Sequence, residues 1–325
     1  MTPTATALAT AFGLGCATSP VERMAEGWGG HNVLWRLRTT AGRWAIKQLG
    51  REIGPDPDAA LAIESAAYAG GVPMPRPVPT VTGSCVATID GTRYRCHEWV
   101  DGTALPWHGH LPETAAVVGG ILAGLHRLRL GWGPGLAPTG PVFGAPHWAH
   151  LAERARAMDA CWCAQIERAA PEIARLEAHI TATWTLEGAI GSHRDLHPTN
   201  LLRVDRGRHV LVDWDAAGPV VPRQEVACFA LVFGDRGQDG GYDQRVVRAF
   251  IDGYRQAGGQ FARPGPDDLA FTASGLLWWT EQNVRLALAS PTERAQAELT
   301  ANLLTTLSQV QDRLTAQASM LADSV

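Results

Sequence analysis

Apolar and polar positions alternate early in the chain. In "NVLWRLRT", Val33, Trp35 and Leu37 alternate with Leu34, Arg36 and Arg38. "TTAG" offers a turn and "GRWAIKQL" a second strand, so a hairpin is predicted. "PDPDAALAIESAAYAGG" reads as a helix, opened by Asp and Pro and closed by Gly70 and Gly71. "VPMPRPVP" at 72–79 is too rich in proline for regular structure and is expected to be extended. "GSCVATI" and "TRYRCHEWV" follow as short strands about the turn "DG". Residues 1–100 thus predict a small, mostly antiparallel sheet with one inserted helix.

After "DGTALP" at 101–106 the period changes. Helices are predicted over roughly 112–129, 146–168, 170–187, 222–233, 242–257, 266–289 and 292–320. A Gly/Pro-rich surface loop is expected over 131–147. The one clear β element of this half is a second hairpin, "NLLRV" and "HVLVDW" joined by "DRGR". The fold class is α+β. A β-rich lobe over 1–100 and a larger, mostly helical lobe over 101–325 meet at a connector near 97–102.

Composition narrows the picture. Hydrophobic residues make up 46% and charged residues 18%, as in ordinary globular proteins. The net charge of −4 argues against a broad nucleic-acid surface, which needs clustered basic groups. The longest apolar run, "AAVVGGILAGL", is too short to span a membrane. The first twenty residues lack the basic start of a signal peptide. The six cysteines (16, 85, 96, 161, 163 and 228) form no C-x-x-C pair. They read as thiols in a reducing cytoplasm.

The second hairpin carries the chemistry. Asp195 and Asn200 stand in the loop before its first strand, and Asp213 ends its second. Their side chains can converge. Oxygens from Asn200 and Asp213 suit Mg²⁺, a hard cation that takes further ligands from water and phosphate. Asp195 is placed to accept or orient a hydroxyl proton. Taken singly, each residue reads as a turn cap. Together, "HRDLHPTN" matches H-R-D-x-x-x-x-N, and the downstream aspartate completes a phosphoryl-transfer set. Such a site implies further parts. Lys47, after "AI" on a strand, is placed to reach phosphates. Glu64, among apolar neighbours on the first long helix, is expected to hold Lys47. "EGWGGHN" offers Gly29 and Gly30 to cover phosphates.

These stretches, with "SHRDLHPTNLL", "LVDWDAAGP" and "LAGLHRL", resemble the aminoglycoside phosphotransferase and choline kinase-like family. The resemblance runs over roughly 26–290. It implies a two-lobe, protein-kinase-like fold that uses ATP and Mg²⁺. Asp195 would be the catalytic base, Asn200 and Asp213 the metal ligands. Lys47 with Glu64 would hold the triphosphate, and Glu98 and Val100 would face adenine through their backbone. His193 and His197 are expected to hold the loop. D-F-G becomes Asp213-Trp214-Asp215, with Asp215 placed to assist the metal or to cap the next turn. No A-P-E and no long activation loop follow, which favours a small acceptor over a folded protein.

For that acceptor, Asp235, Asp239, Trp278 and Glu281 of the helical half are candidates. Carboxylates and aromatic faces suit a cationic antibiotic or amino sugar. The same residues read equally as core and solvated loop. A kinase of Ser/Thr in a short precursor peptide stays open as an alternative. So does a non-catalytic nucleotide-binding scaffold, which would be expected to have lost one of Lys47, Asp195, Asn200 or Asp213.

Overall fold

The structure, a computed structural model, describes residues 3–26, 32–50, 57–133, 136, 142–237, 241–262 and 264–325. Gly29, Gly30 and Asp239 lie outside the described residues. The chain divides into two compact units. The first comprises 1–107, 121–137 and 190–219; the second comprises 108–120, 138–189 and 220–325. The segment carrying Asp195, Asn200 and Asp213 thus packs with the first hundred residues, which a boundary at 100/101 does not convey.

The first unit begins with a short helix that the sequence pattern did not announce, α1 (Ala5–Ala11), capped by the Thr4 side chain. Its sheet is built from β1 (Glu22–Glu26), β2 (Val33–Thr39) and β3 (Gly42–Leu49). After helix α2 (Pro57–Ala69) come β4 (Pro77–Val78), β5 (Ala87–Ile89) and β6 (Thr92–Glu98). The strand order is β1-β2-β3-β6-β4, with β5 also on β6, and every pairing is antiparallel. Alternation gives the sheet two faces. Trp35, Leu37, Trp44, Ile46, Tyr94 and Cys96 pack with Leu8, Phe12 and Leu14 of the N-terminal stretch in one core. By the same alternation Ala45, Lys47, Arg95 and His97 take the other face.

The helix and hairpins follow their sequence signals. In α2, Ala60, Leu61, Ile63, Glu64 and Ala67 are buried, one stripe at helical spacing. It stops where Gly71 takes φ +82° and Val72 N donates to the Ala67 carbonyl, a left-handed cap that glycine suits.

Beyond β7 (Thr103–Ala104) and helix α3 (Pro112–Arg127), the chain places β8 (Ile190–Ser192), β9 (Leu201–Arg203), β10 (His209–Leu211) and β11 (Gly218–Val220). The expected second hairpin is β9–β10, and β7 pairs with β9 as its third strand. Strands of two or three residues leave no periodicity to read, so β7, β8 and β11 were not expected. Gly191 is needed for a close approach: a Cβ there would lie 2.9 Å from the Gly131 carbonyl oxygen and 3.1 Å from Ile63.

The second unit is helical among the described residues: α4 (Ala145–Ala157), α5 (Cys163–Thr183), α6 (Pro222–Gly234), α7 (Gln244–Gln256), α8 (Ala270–Ala289), α9 (Arg294–Leu307) and α10 (Val310–Ala322). The break expected near 169 lies instead at 158–162. There Asp159 takes φ 51° and Trp162 is buried, while Pro171 is accommodated inside α5. The helix expected over 292–320 is two helices. No disulfide joins any of the six cysteines. No helix among the described residues is long and apolar enough to cross a membrane.

Candidate active site

The site is built at two places in the first unit: the loop between β8 and β9, and the end of β10 with the turn after it. The loop is fixed from beneath by His193, which is fully buried. Its Nε2 donates to the Val212 carbonyl (3.0 Å), and its Nδ1 accepts from Asp195 N (3.2 Å). Only a neutral ring protonated at Nε2 satisfies both bonds. His193 therefore holds the loop, as expected of it. The Trp214 ring meets the same ring in a T-shaped contact.

Asn200 Nδ2 donates to Asp195 Oδ2 (2.8 Å) and to the Asp195 carbonyl (2.9 Å). His197 Nε2 lies 3.2 Å from Asp195 Oδ1, its Nδ1 lies 2.9 Å from Thr199 Oγ1, and its ring stacks on Trp107. Burial pushes the Asp195 carboxyl up. The hydrogen bond and charge of His197, with the Asn200 amide, outweigh it, so its pKa lies below the ordinary carboxylate value. Asp195 is thus an ionised, oriented acceptor near neutral pH.

Asp213 sits at φ 66°, ψ 70°, a left-handed conformation that aspartate tolerates better than most residues. It opens the one-turn helix Trp214–Ala216. Lys47 Nζ is 2.6 Å from Asp213 Oδ1 and 2.5 Å from Asp215 Oδ2. Burial disfavours charge on both Lys47 and Asp213. Their attraction outweighs it, raising the lysine pKa and lowering that of Asp213.

Two expectations are corrected here. Glu64 does not hold Lys47. Its carboxylate is taken by Arg95 and by His97 Nε2 (2.8 Å), because Arg95 and His97 share the sheet face beneath α2. Asp215, expected to assist the metal or cap the next turn, is instead engaged by the sheet face. It accepts from Arg95 Nη1 (2.9 Å), Asn32 Nδ2 (3.1 Å) and Lys47. Arg95 and Asn32 are the residues that sequence reasoning missed. The alternation that placed Lys47 on this face also places Arg95 there, but its neighbour across the ladder depends on a register that no local pattern gives.

Glu64 is 1% exposed, and Arg95 is 2% exposed. Removing one partner of such a buried pair strands the other charge. Glu64→Ala is expected to lower unfolding stability by about 3–5 kcal/mol, read by denaturant titration. Burial pushes the Glu64 carboxyl up, and His97 and Arg95 bring it below its ordinary value. Its contribution is therefore complete above the ordinary glutamate pKa, about 4.3. It is lost as pH falls through the lower folded value. Acid unfolding curves should be flatter for Glu64→Gln than for the wild type below that pH. Parallel curves would contradict the assignment.

At the connector, Glu98 N donates to the Arg76 carbonyl and Trp99 N to the Arg43 carbonyl, and Val100 follows beyond β6. Of the acceptor candidates, all in the second unit, Glu281 is buried. It accepts from Gln282 Nε2 (2.8 Å) and lies 2.9 Å from His147 Nε2. Asp235 accepts from Gly237 N and lines a cavity of about 180 Å³ with Leu231, Tyr242, Thr272 and Leu276. Trp278 is exposed.

No three His, Cys, Asp or Glu side chains form a metal-holding group among the described residues. The donors offered by Asn200 and Asp213 are oxygens, one amide and one carboxylate. That set fits a hard cation that draws its remaining ligands from phosphate and water.

The profile of the Phosphotransferase enzyme family matches residues 25–264, and the chain belongs to that family. Its fold is the two-lobe, protein-kinase-like one. A spectinomycin phosphotransferase solved with ADP and spectinomycin is 12% identical, with a TM-score of 0.66 over 95% of this chain and 97% of that one. An amicoumacin kinase solved with AMP-PNP and Ca²⁺ is also 12% identical, with a TM-score of 0.65 over 94% and 92%. An ethanolamine kinase from Plasmodium vivax is 13% identical, with a TM-score of 0.62 over 91% and 83%. An uncharacterized protein from Deinococcus radiodurans is 29% identical over 221 residues, 64% of this chain and 61% of that relative's length.

Proposed function

We propose that this protein transfers the γ-phosphoryl group of ATP to a hydroxyl of a small molecule, with Mg²⁺ as the metal. The observation that carries this reading is the bonding of Asp195 to Asn200 in the same unit that pairs Lys47 with Asp213. Phosphoryl transfer asks the protein for positioning and charge neutralisation, and these four side chains supply both. Asn200 and Asp213 would hold the metal, which would supply neutralisation of the phosphate charge. Lys47 turns from Asp213 toward the α- and β-phosphates. Asp195 takes the proton of the acceptor hydroxyl at its carboxylate. The connector backbone at Glu98 and Val100 meets the adenine.

The acceptor is an antibiotic, amino sugar or other natural product bearing a hydroxyl. Two things support a small acceptor: the short run from Asp213 to α6, and solved relatives of this fold that are kinases of small molecules. Lys47, Asp195, Asn200 and Asp213 are all present, bonded as the pairs Lys47–Asp213 and Asn200–Asp195, which leaves the scaffold alternative without a supporting feature. Mass spectrometry of candidate acceptors after incubation with Mg·ATP tests the reading. One added phosphoryl group on an acceptor oxygen is the expected result. Unmodified acceptors across chemically diverse hydroxyl compounds would contradict it.

A further inference from the structure

Lys47 and Arg95 are direct partners across the β3–β6 ladder, so two cationic side chains stand side by side on one sheet face. They share three carboxylates. One end of the Arg95 guanidinium, Nη2, bonds Glu64 Oε2, and Nη1 bonds Asp215 Oδ1 at 2.9 Å. The other Asp215 oxygen bonds Lys47 Nζ at 2.5 Å and Asn32 Nδ2 at 3.1 Å. The other Glu64 oxygen lies 2.8 Å from His97 Nε2. Both oxygens of Glu64 are therefore occupied without Lys47. The contacts run in series: Glu64, Arg95, Asp215, Lys47, Asp213.

We infer that Arg95 is a positioning residue for nucleotide binding, which links Glu64 on α2 to Lys47 by way of Asp215. The inference rests on the proposed phosphotransfer reading, but only on its nucleotide-binding half. Arginine suits the task because its planar fork can donate to two carboxylates at fixed angles. The link matters when nucleotide enters. Lys47 must leave Asp213 to the metal and turn to the phosphates. Asp215, held by Arg95 and Asn32, keeps the lysine stem aimed while it does so. Asp215 thus works as a second anchor for Lys47.

Lysine at position 95 keeps the charge but offers one compact ammonium, which cannot reproduce the two-ended fork. Arg95→Lys is expected to raise the Kd of Mg·ADP, measured by calorimetry, by about 10-fold, the order of one lost charge-assisted hydrogen bond. The KM for Mg·ATP should rise with it, and the KM for an acceptor should stay within about 2-fold, because the link touches only nucleotide. Residues acting in series are not additive. The Arg95→Lys/Asp215→Asn double variant should therefore bind Mg·ADP no worse than the weaker single variant.

A lowered Tm with an unchanged Kd for Mg·ADP would make Arg95 merely structural and overturn the inference. Independent, multiplying losses in the double variant would overturn it as well. If Arg95→Lys fails to fold, Glu64→Gln reads the same link from its other end with little change of shape. A raised Kd supports the link there, and an unchanged one overturns it. A wild-type protein that binds no Mg·ADP would defeat the phosphotransfer reading and this inference with it. Wild-type binding that Arg95→Lys leaves intact would defeat this inference alone.

Discussion

Asp195→Asn is expected to bind Mg·ATP about as well as the wild type and to transfer its phosphoryl group about 10²–10⁴-fold more slowly, the range for losing a positioned base. Asparagine matches aspartate in size, and its side-chain oxygen can still accept the Asn200 amide. The loop is pinned independently, by the two bonds of His193 to Asp195 N and to Val212. What the substitution removes is the group that can take a proton. The lowered pKa of Asp195 sharpens this outcome, because the wild-type carboxylate is already ionised at neutral pH. No acid limb from this residue is therefore expected above the ordinary aspartate range, about pH 4. Single-turnover rates at saturating nucleotide separate chemistry from binding. An unchanged rate would remove Asp195 from the role of base.

Asp213→Ala should abolish the dependence of nucleotide binding on Mg²⁺. Asp213 is the carboxylate of the two proposed metal ligands. Removing it is expected to weaken Mg·ATP binding by about 10²-fold, the upper end of what outer-shell losses alone cause. The sign reverses without metal. The variant loses a negative charge near the phosphates, and Lys47 loses the partner 2.6 Å away that competes with them. Metal-free nucleotide should then bind the variant at least as well as the wild type. Titrations with and without Mg²⁺ read both halves. A variant whose nucleotide affinity still rises on adding Mg²⁺ would contradict the metal assignment.

The parts of this site that could be read in the sequence are those whose chemistry is local. "HRDLHPTN" and the aspartate after the hairpin keep their spacing within one stretch, and the structure bonds Asp195 to Asn200 within it. The β2–β3 hairpin was legible because its alternation runs for seven or eight residues. What was not legible depends on distant neighbours. Arg95 looks like any strand arginine until β6 is laid beside β3 and beneath α2. Glu64 was rightly expected to need a cation, since a lone buried charge is costly, but the nearest cation proved to be Arg95. Glu281 shows the same limit in the second unit: this acceptor candidate is a buried helix carboxylate beside His147, a neighbour that no local pattern gives. The α1 helix escaped notice because seven weakly apolar residues carry little periodicity, although Leu8 and Ala9 are buried.

The measurement that bears most directly on the proposed activity is nucleoside-diphosphate release from Mg·ATP against a mixed acceptor panel. The panel holds aminoglycosides, amino sugars, neutral nucleoside and macrolide antibiotics, and Ser/Thr peptides, with Asp195→Asn as control. The expected result is release that depends on one class of small hydroxyl compound and disappears in the variant. Release that no acceptor stimulates, or that Asp195→Asn sustains at the wild-type rate, would contradict transfer through Asp195 to a small-molecule hydroxyl.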